Sequence, residues 1–392
     1  MAGLGETVAD LSRYRRWVAG GPRSETPSAR QALAETASFG PNPGDLRMLS
    51  YAPVGLAEGA PLIVVMHGCT QSAQAYAEGA GWIDLADRDG LLLLCPEQKA
   101  ANNFNRCFNW FQPEDTTRGS GEAASIRQMI QRICDDYRVD PARIFVTGLS
   151  AGGAMTAVML AAYPEVFAGG AVMAGLPYGA ANSVQEALGA MFQGRSRAAR
   201  AWGDLVRDAS PHTGRWPRLA IWHGDADSTV RPGNADELAK QWADVWGLPA
   251  KPDQSTRSRG IKRSVWNTAD GDSAIQLNLL AGMGHGTPIA ASGPDGCGRA
   301  GPYLLESGVS SSVEVLRFWG LEAQAEVQPE AEARTQNPPP QPAARPVLRP
   351  AAAARAHAQP RKPAHQPLTS ERIVSGVEQV IAKALTAAGL MK

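Results

Sequence analysis

Long apolar runs are missing from this 392-residue chain. No stretch approaches the roughly 18 apolar residues that a membrane-spanning helix needs, so no helical span is expected. Net charge is missing too. The 38 basic and 38 acidic residues cancel, so nothing overall points to nucleic acid as a partner. Cysteine is scarce. Five residues, an odd number at irregular spacing, fit neither a zinc site nor a dense disulfide framework. Between Met1 and Gly20 there is no uninterrupted apolar core of a secretory signal, because Arg13, Arg15 and Arg16 break it. On that ground alone the expectation is a cytoplasmic protein. Acidic residues vanish from Ala333 to Pro367, where Pro, Ala, Gln and Arg dominate. Such a segment cannot build a core and is expected to be an extended linker.

What remains is apolar, at 44%, and ordered in short blocks. The block Ile144-Phe145-Val146-Thr147 stops at Gly148-Leu149-Ser150-Ala151-Gly152-Gly153, and a run of helical character follows from Ala154 to Ala162. G-x-S-x-G between a strand and a helix is the nucleophile elbow of the α/β-hydrolases. The serine must sit on a very tight turn, so Gly148 and Gly152 are read as positions where a β-carbon would collide. The Ala151 amide would then lie at a helix N-terminus, able to receive negative charge.

Other strand candidates are Leu46 to Ala52, Leu62 to Met66, Leu91 to Cys95 (stopped by Pro96), Gly170 to Ala174, Leu219 to Trp222 and Ile275 to Leu280. Helical patterns run over Ala73 to Arg88, Gly121 to Tyr137, Asn234 to Trp246 and Ser311 to Trp319. Buried apolar strands alternating with helices predict an α/β fold, a mostly parallel sheet with helices on both faces. The expected organisation is an N-terminal arm (1–45), a catalytic domain (46–320), the linker (321–368) and a C-terminal amphipathic helix (369–392). In the arm, Val8, Leu11, Trp17 and Val18 could line a short helix. The last helix carries the stripe Ile373, Val374, Val377, Val380, Ile381, Ala384, Leu385 and Ala388. It is expected to dock on the catalytic domain, a second subunit or an apolar granule.

An elbow serine needs a base and an acid. In this fold the order is Ser, then Asp or Glu, then His. Of six histidines, His357 and His365 fall in the linker, and His212 and His223 precede the best acid, with His223 read as ordering the loop after its strand. His285, on a glycine-rich loop after Ile275–Leu280, is the expected base. Asp227, in the run His223-Gly224-Asp225-Ala226-Asp227 after a strand, is the expected acid, with Asp225 capping the turn. The loop His67-Gly68-Cys69 follows the Leu62–Met66 strand, and the Cys69 amide is the expected second oxyanion donor beside Ala151.

The joint set His67-Gly68-Cys69-Thr70-Gln71-Ser72, Pro96-Glu97-Gln98, Cys107-Phe108-Asn109-Trp110-Phe111, Gly148-Leu149-Ser150-Ala151-Gly152-Gly153 and Ala300-Gly301-Pro302-Tyr303 resembles the poly(3-hydroxybutyrate) depolymerase family of esterases. Its relatives include feruloyl and acetylxylan esterases. The resemblance covers roughly residues 46–320 and implies an α/β-hydrolase fold, serine-esterase chemistry and no cofactor or metal. It supports Ser150, Asp227 and His285 as a triad and Cys69 as an oxyanion donor. It places Trp110 at the mouth of the site, against the alternative of a core tryptophan in a long loop. It also implies an extracellular location, against the missing signal. Cys69 and Cys107 could pair as a disulfide, which a reducing cytosol would oppose. The expected substrate is a hydroxyalkanoate ester, polymer or oligomer, ahead of feruloyl or acetyl esters. A non-catalytic granule- or partner-binding module is the alternative from another class.

Overall fold

The structure is a computed structural model that describes residues 32–321. The expected linker, the C-terminal helix and most of the N-terminal arm lie outside the described residues.

In chain order the strands are β1 (Ala34–Thr36), β2 (Arg47–Tyr51), β3 (Leu62–Met66), β4 (Leu92–Glu97), β5 (Ile144–Leu149), β6 (Gly169–Met173), β7 (Arg218–Gly224), β8 (Gln254–Ser258), β9 (Ile261–Asn267), β10 (Ser273–Leu280), β11 (Thr287–Ile289) and β12 (Leu304–Glu306). The helices are α1 (Ala73–Gly79), α2 (Trp82–Asp89), α3 (Pro113–Thr116), α4 (Gly121–Tyr137), α5 (Ala151–Ala162), α6 (Val184–Gln193), α7 (Ala199–Asp208), α8 (Gly233–Val245) and α9 (Ser311–Trp319).

Ten strands form one sheet in the order β1-β2-β4-β3-β5-β6-β7-β10-β9-β8. The six from β4 to β10 run parallel, and antiparallel strands flank them at each edge. β3 reads Leu-Ile-Val-Val-Met and is buried throughout, as a strand covered on both faces must be. Alternation then divides its side chains. Leu62, Val64 and Met66 join the core under α4, α5, α7 and α8. Ile63 and Val65 join the core under α1, α2 and α9. This three-layer α/β sandwich is the expected architecture.

Several local expectations change. The helix read over Ala73 to Arg88 is two helices, broken where Gly81 adopts φ +82°. Pro96 does not stop its strand. It lies in β4 opposite Met48, beyond Leu94 where pairing with β3 ends, so its missing N–H leaves no ladder bond unmade on that side. The arm is not separate from the sheet up to residue 45, because β1 pairs antiparallel with β2. The stretch from Leu176 to Gly214, for which no element is predicted above, holds α6 and α7. No helix among the described residues is long and apolar enough to cross a membrane.

Candidate active site

Ser150 stands between β5 and α5 at φ +56°, ψ −115°, a backbone conformation that L residues rarely adopt. Two things hold it there. Its N–H donates to Met173 O at the end of β6 (2.9 Å), and its C=O accepts the first bond of α5 from Ala154 N (2.8 Å). The glycines have the expected reason. A Cβ on Gly148 would lie 2.4 Å from Gly152 O, and one on Gly152 would lie 2.4 Å from Met66 O and 2.5 Å from His67 O. The elbow therefore packs main chain to main chain on the end of β3, which sets Ala151 beside the loop carrying Cys69. Neither the Ala151 nor the Cys69 amide donates to another group among the described residues.

Asp227 follows β7 and His285 follows β10, the next strand across the sheet. His285 Nδ1 donates to Asp227 Oδ2 at 2.7 Å. Asp227 Oδ1 accepts from the amides of Thr229 (2.8 Å) and Val230 (2.9 Å). Burial alone would raise this carboxyl, but hydrogen bonds from His223 and His285 outweigh it and hold Asp227 well below the usual carboxylate range. The two loops meet through their backbones. A Cβ on Gly224 would sit 2.1 Å from Met283 O, Ala226 N donates to Met283 O (3.1 Å), and Asp225 Oδ1 accepts from Gly282 N (2.6 Å). Asp225 thus clamps the histidine loop instead of capping its own turn as expected. Neither Ser150 Oγ nor His285 Nε2 makes a hydrogen bond among the described residues.

Three features of the site go beyond the sequence reading, which gave His223 only the ordering of its own loop. His223 is buried, with Nε2 donating to Val230 O (2.8 Å) and lying 3.3 Å from Asp227 Oδ2, so Asp227 has a second histidine at its back. The H-G-x-x-D run was the available signal. His67 is fully buried, and its pKa is lowered chiefly by that burial. Gln98 N donates to its Nε2 (3.1 Å), so the proton sits on Nδ1, which donates to Gly68 O (2.7 Å). Finally, Gln98 Nε2 donates to Glu122 Oε1 and to Cys107 O, and Asn109 N donates to Glu122 Oε2 (2.9 Å). Glu122, at the start of α4, is pushed up to about 8 by burial and then by the charge of Asp115. This polar knot fastens the Cys107–Trp110 loop behind the Cys69 loop.

Cys69 and Cys107 form a disulfide. Trp110 exposes only 7% of its surface and meets Phe111 edge-on at 5.4 Å. Core packing accounts for nearly all of its ring, which favours the core reading over the mouth of the site. Among the described residues no group of three or more His, Cys, Asp or Glu is arranged to hold a metal ion.

Comparison with known proteins follows the same lines. Residues 46–262 match the esterase PHB depolymerase family. The match includes Ser150 and Asp227 and ends before His285, whose place rests on its bond to Asp227. The chain is 43% identical over 296 residues to poly(3-hydroxyalkanoate) depolymerase C of Paucimonas lemoignei, covering 75% of this chain and 71% of that one. It is 34% identical over 262 residues to feruloyl esterase B of Thermothelomyces thermophilus, covering 65% of this chain and 88% of that one. Among solved structures, an acetyl xylan esterase from Aspergillus awamori superposes with a TM-score of 0.64 at 25% identity, over 74% of this chain and all of that one. The chain belongs to the esterase PHB depolymerase family and is a carboxylic ester hydrolase of the α/β-hydrolase fold.

Proposed function

We propose that the enzyme hydrolyses short-chain poly- or oligo-3-hydroxyalkanoate esters through an acyl-enzyme on Ser150. The observation that carries the mechanism is the 2.7 Å bond between His285 and a buried, ionised Asp227, on the same strand-end edge as the elbow serine. Asp227 fixes the tautomer with the proton on Nδ1, leaving Nε2 as base, and stabilises the imidazolium that forms. Bound ester brings Ser150 Oγ and Nε2 together, and the serine adds to the carbonyl as its proton passes to His285. The oxyanion forms between the free amides of Ala151 and Cys69. His285 then protonates the leaving alcohol, and water, deprotonated by the same histidine, releases the acid.

The substrate reading is supported by the 43% identity to a protein named as a poly(3-hydroxyalkanoate) depolymerase. Feruloyl and acetyl esters of plant polysaccharide are the second reading, supported by the 34% identities. The test is hydrolysis of p-nitrophenyl acetate, butyrate and octanoate, a 3-hydroxybutyrate trimer, amorphous polymer and methyl ferulate by wild type and Ser150→Ala. Preference for trimer or polymer, lost in the variant, supports the proposal. Preference for methyl ferulate or acetyl esters moves the substrate to plant polysaccharide, and equal rates for both proteins refute the serine mechanism.

A further inference from the structure

The described residues expose six large apolar side chains, and three of them, Val184, Leu188 and Phe192, lie on one helix. Their spacing of four residues puts them in a row along one face of α6, about 12 Å long at the helical rise. They are 46%, 47% and 48% exposed, while Ala187 and Ala190 on the other side are buried. Such a row is not the single scattered apolar residue that any surface carries.

The helix is held against the catalytic machinery at one end. Arg231 N donates to Met191 O (2.9 Å), Arg231 Nε to Phe192 O (3.1 Å) and Asn234 Nδ2 to Ala190 O (3.0 Å). Arg231 immediately follows Val230, whose amide binds the Asp227 carboxylate. The Phe192 end of the row therefore abuts the acid loop after β7. A second apolar outpost hangs on the loop after β3. Phe104 is 87% exposed, and its neighbour Asn105 accepts from Thr70 N (2.6 Å). In the sheet, β5 with Ser150 lies between β3 and β7. The two apolar outposts thus flank the serine.

The charge on α6 favours one kind of partner. Its single ionic residue, Glu186, is already engaged by Asn182 N (2.9 Å) and Arg195 (3.2 Å). The row offers aliphatic and phenyl surface, no free charge and no hydrogen-bonding side chain. Gln185 and Gln193 stand exposed on the same helix, but the row itself gives a hydrated polysaccharide no polar partner, whereas an uncharged aliphatic solid would bury it without desolvating a charge on α6.

We propose that Val184, Leu188 and Phe192 on α6 form an adsorption surface that docks the enzyme on a solid aliphatic polyester beside the serine. This rests on the hydroxyalkanoate reading of the site.

The test uses the full chain. Adsorption to amorphous poly(3-hydroxybutyrate) granules and to cellulose is measured in a Ser150→Ala background, so that cleavage does not enter. The triple variant Val184→Gln/Leu188→Gln/Phe192→Gln should bind polyester about tenfold more weakly, and Leu188→Lys alone should weaken it by about threefold. With Ser150 restored, both variants should turn over p-nitrophenyl butyrate within about twofold of wild type, which shows they are folded, while film hydrolysis falls with adsorption. Polyester adsorption that is absent in the parent, unchanged in the variants or matched on cellulose overturns the proposal. So does a change of oligomeric state in the variants by sedimentation, which would make the row a contact between copies. Failure of the underlying reading looks different, since wild type would then cleave methyl ferulate and leave the 3-hydroxybutyrate trimer intact.

Discussion

Adding one methyl group at Gly152 should disable the enzyme without unfolding it. Gly152 lies in the first turn of α5 with no positive φ, so alanine has no backbone penalty there. The obstacle is purely steric. The new Cβ would stand 2.4 Å from Met66 O and 2.5 Å from His67 O, where ordinary contact begins at 3.4 Å. Both obstacles are main chain, so no side chain can swing aside. The helix must retreat from β3 by about 1 Å, carrying the Ser150 and Ala151 positions away from the Cys69 loop. Overpacking of this kind costs about 1–3 kcal/mol of stability. A displacement of about 1 Å among reacting groups costs about 100-fold in rate. Gly152→Ala should therefore show kcat for p-nitrophenyl butyrate lowered about 100-fold, KM changed little, and a native circular dichroism spectrum. Gly189→Ala is the control. That position, in α6, has nothing within 4 Å of the added carbon, so it should keep full activity and gain up to about 1 kcal/mol. A Gly152→Ala enzyme with kcat within about threefold of wild type would refute the steric reasoning.

Three further outcomes are expected. Ser150→Ala should lose at least about 10⁴-fold in kcat and all labelling by a fluorophosphonate, while Asp227→Asn should lose about 10³–10⁴-fold and still label slowly; equal residual activity of Asp227→Asn and wild type would remove Asp227 from the mechanism. Glu122, ordinarily near 4.5, is pushed up to about 8 in the folded chain. Between those values the folded state holds a proton that the unfolded state has lost, so wild-type stability should fall as pH rises through that window, by at most about 1.4 kcal/mol per pH unit. Urea midpoints from pH 5 to pH 8 should show a flatter profile for Glu122→Gln, and an unchanged slope counts against a protonated Glu122. The Cys69–Cys107 disulfide closes a separation of 38 residues, so Cys107→Ser should cost about 2–4 kcal/mol in denaturant unfolding and slow hydrolysis by loosening the Cys69 amide; full activity and unchanged stability would make the bridge incidental.

The parallel centre of the fold was legible because its strands carry their signal alone. Leu62–Met66 and Leu92–Leu94 are apolar at every position, which only a strand buried on both faces requires. The edges were not legible. β8 reads Gln-Ser-Thr-Arg-Ser and is exposed along its length, so no buried face imprints a period on it. Helices α6 and α7 were hidden by Pro177, Gly179 and Gly194 around them, and an apolar row that faces outward in α6 mimics no ordinary core stripe. At the site, Ser150, Asp227 and His285 were chosen by chain order and element ends, both properties of sequence. The polar knot of His67, Gln98 and Glu122 was not chosen, because its members are 31 and 24 residues apart and only the folded loops bring them into contact.

The backbone-to-backbone seam at Gly224 has a consequence for how this scaffold can change. The acid loop and the histidine loop are registered through carbonyls and amides, at Gly224 against Met283 and at Ala226 against Met283. Two side-chain links, the Asp225 clamp and the His285–Asp227 bond, add to this main-chain seam. A substitution elsewhere on these loops that leaves the main chain at Gly224 and Met283 in place should then keep their spacing, whatever side chain it introduces. A methyl group at Gly224 would break that spacing directly, because its carbon would meet the Met283 carbonyl at 2.1 Å.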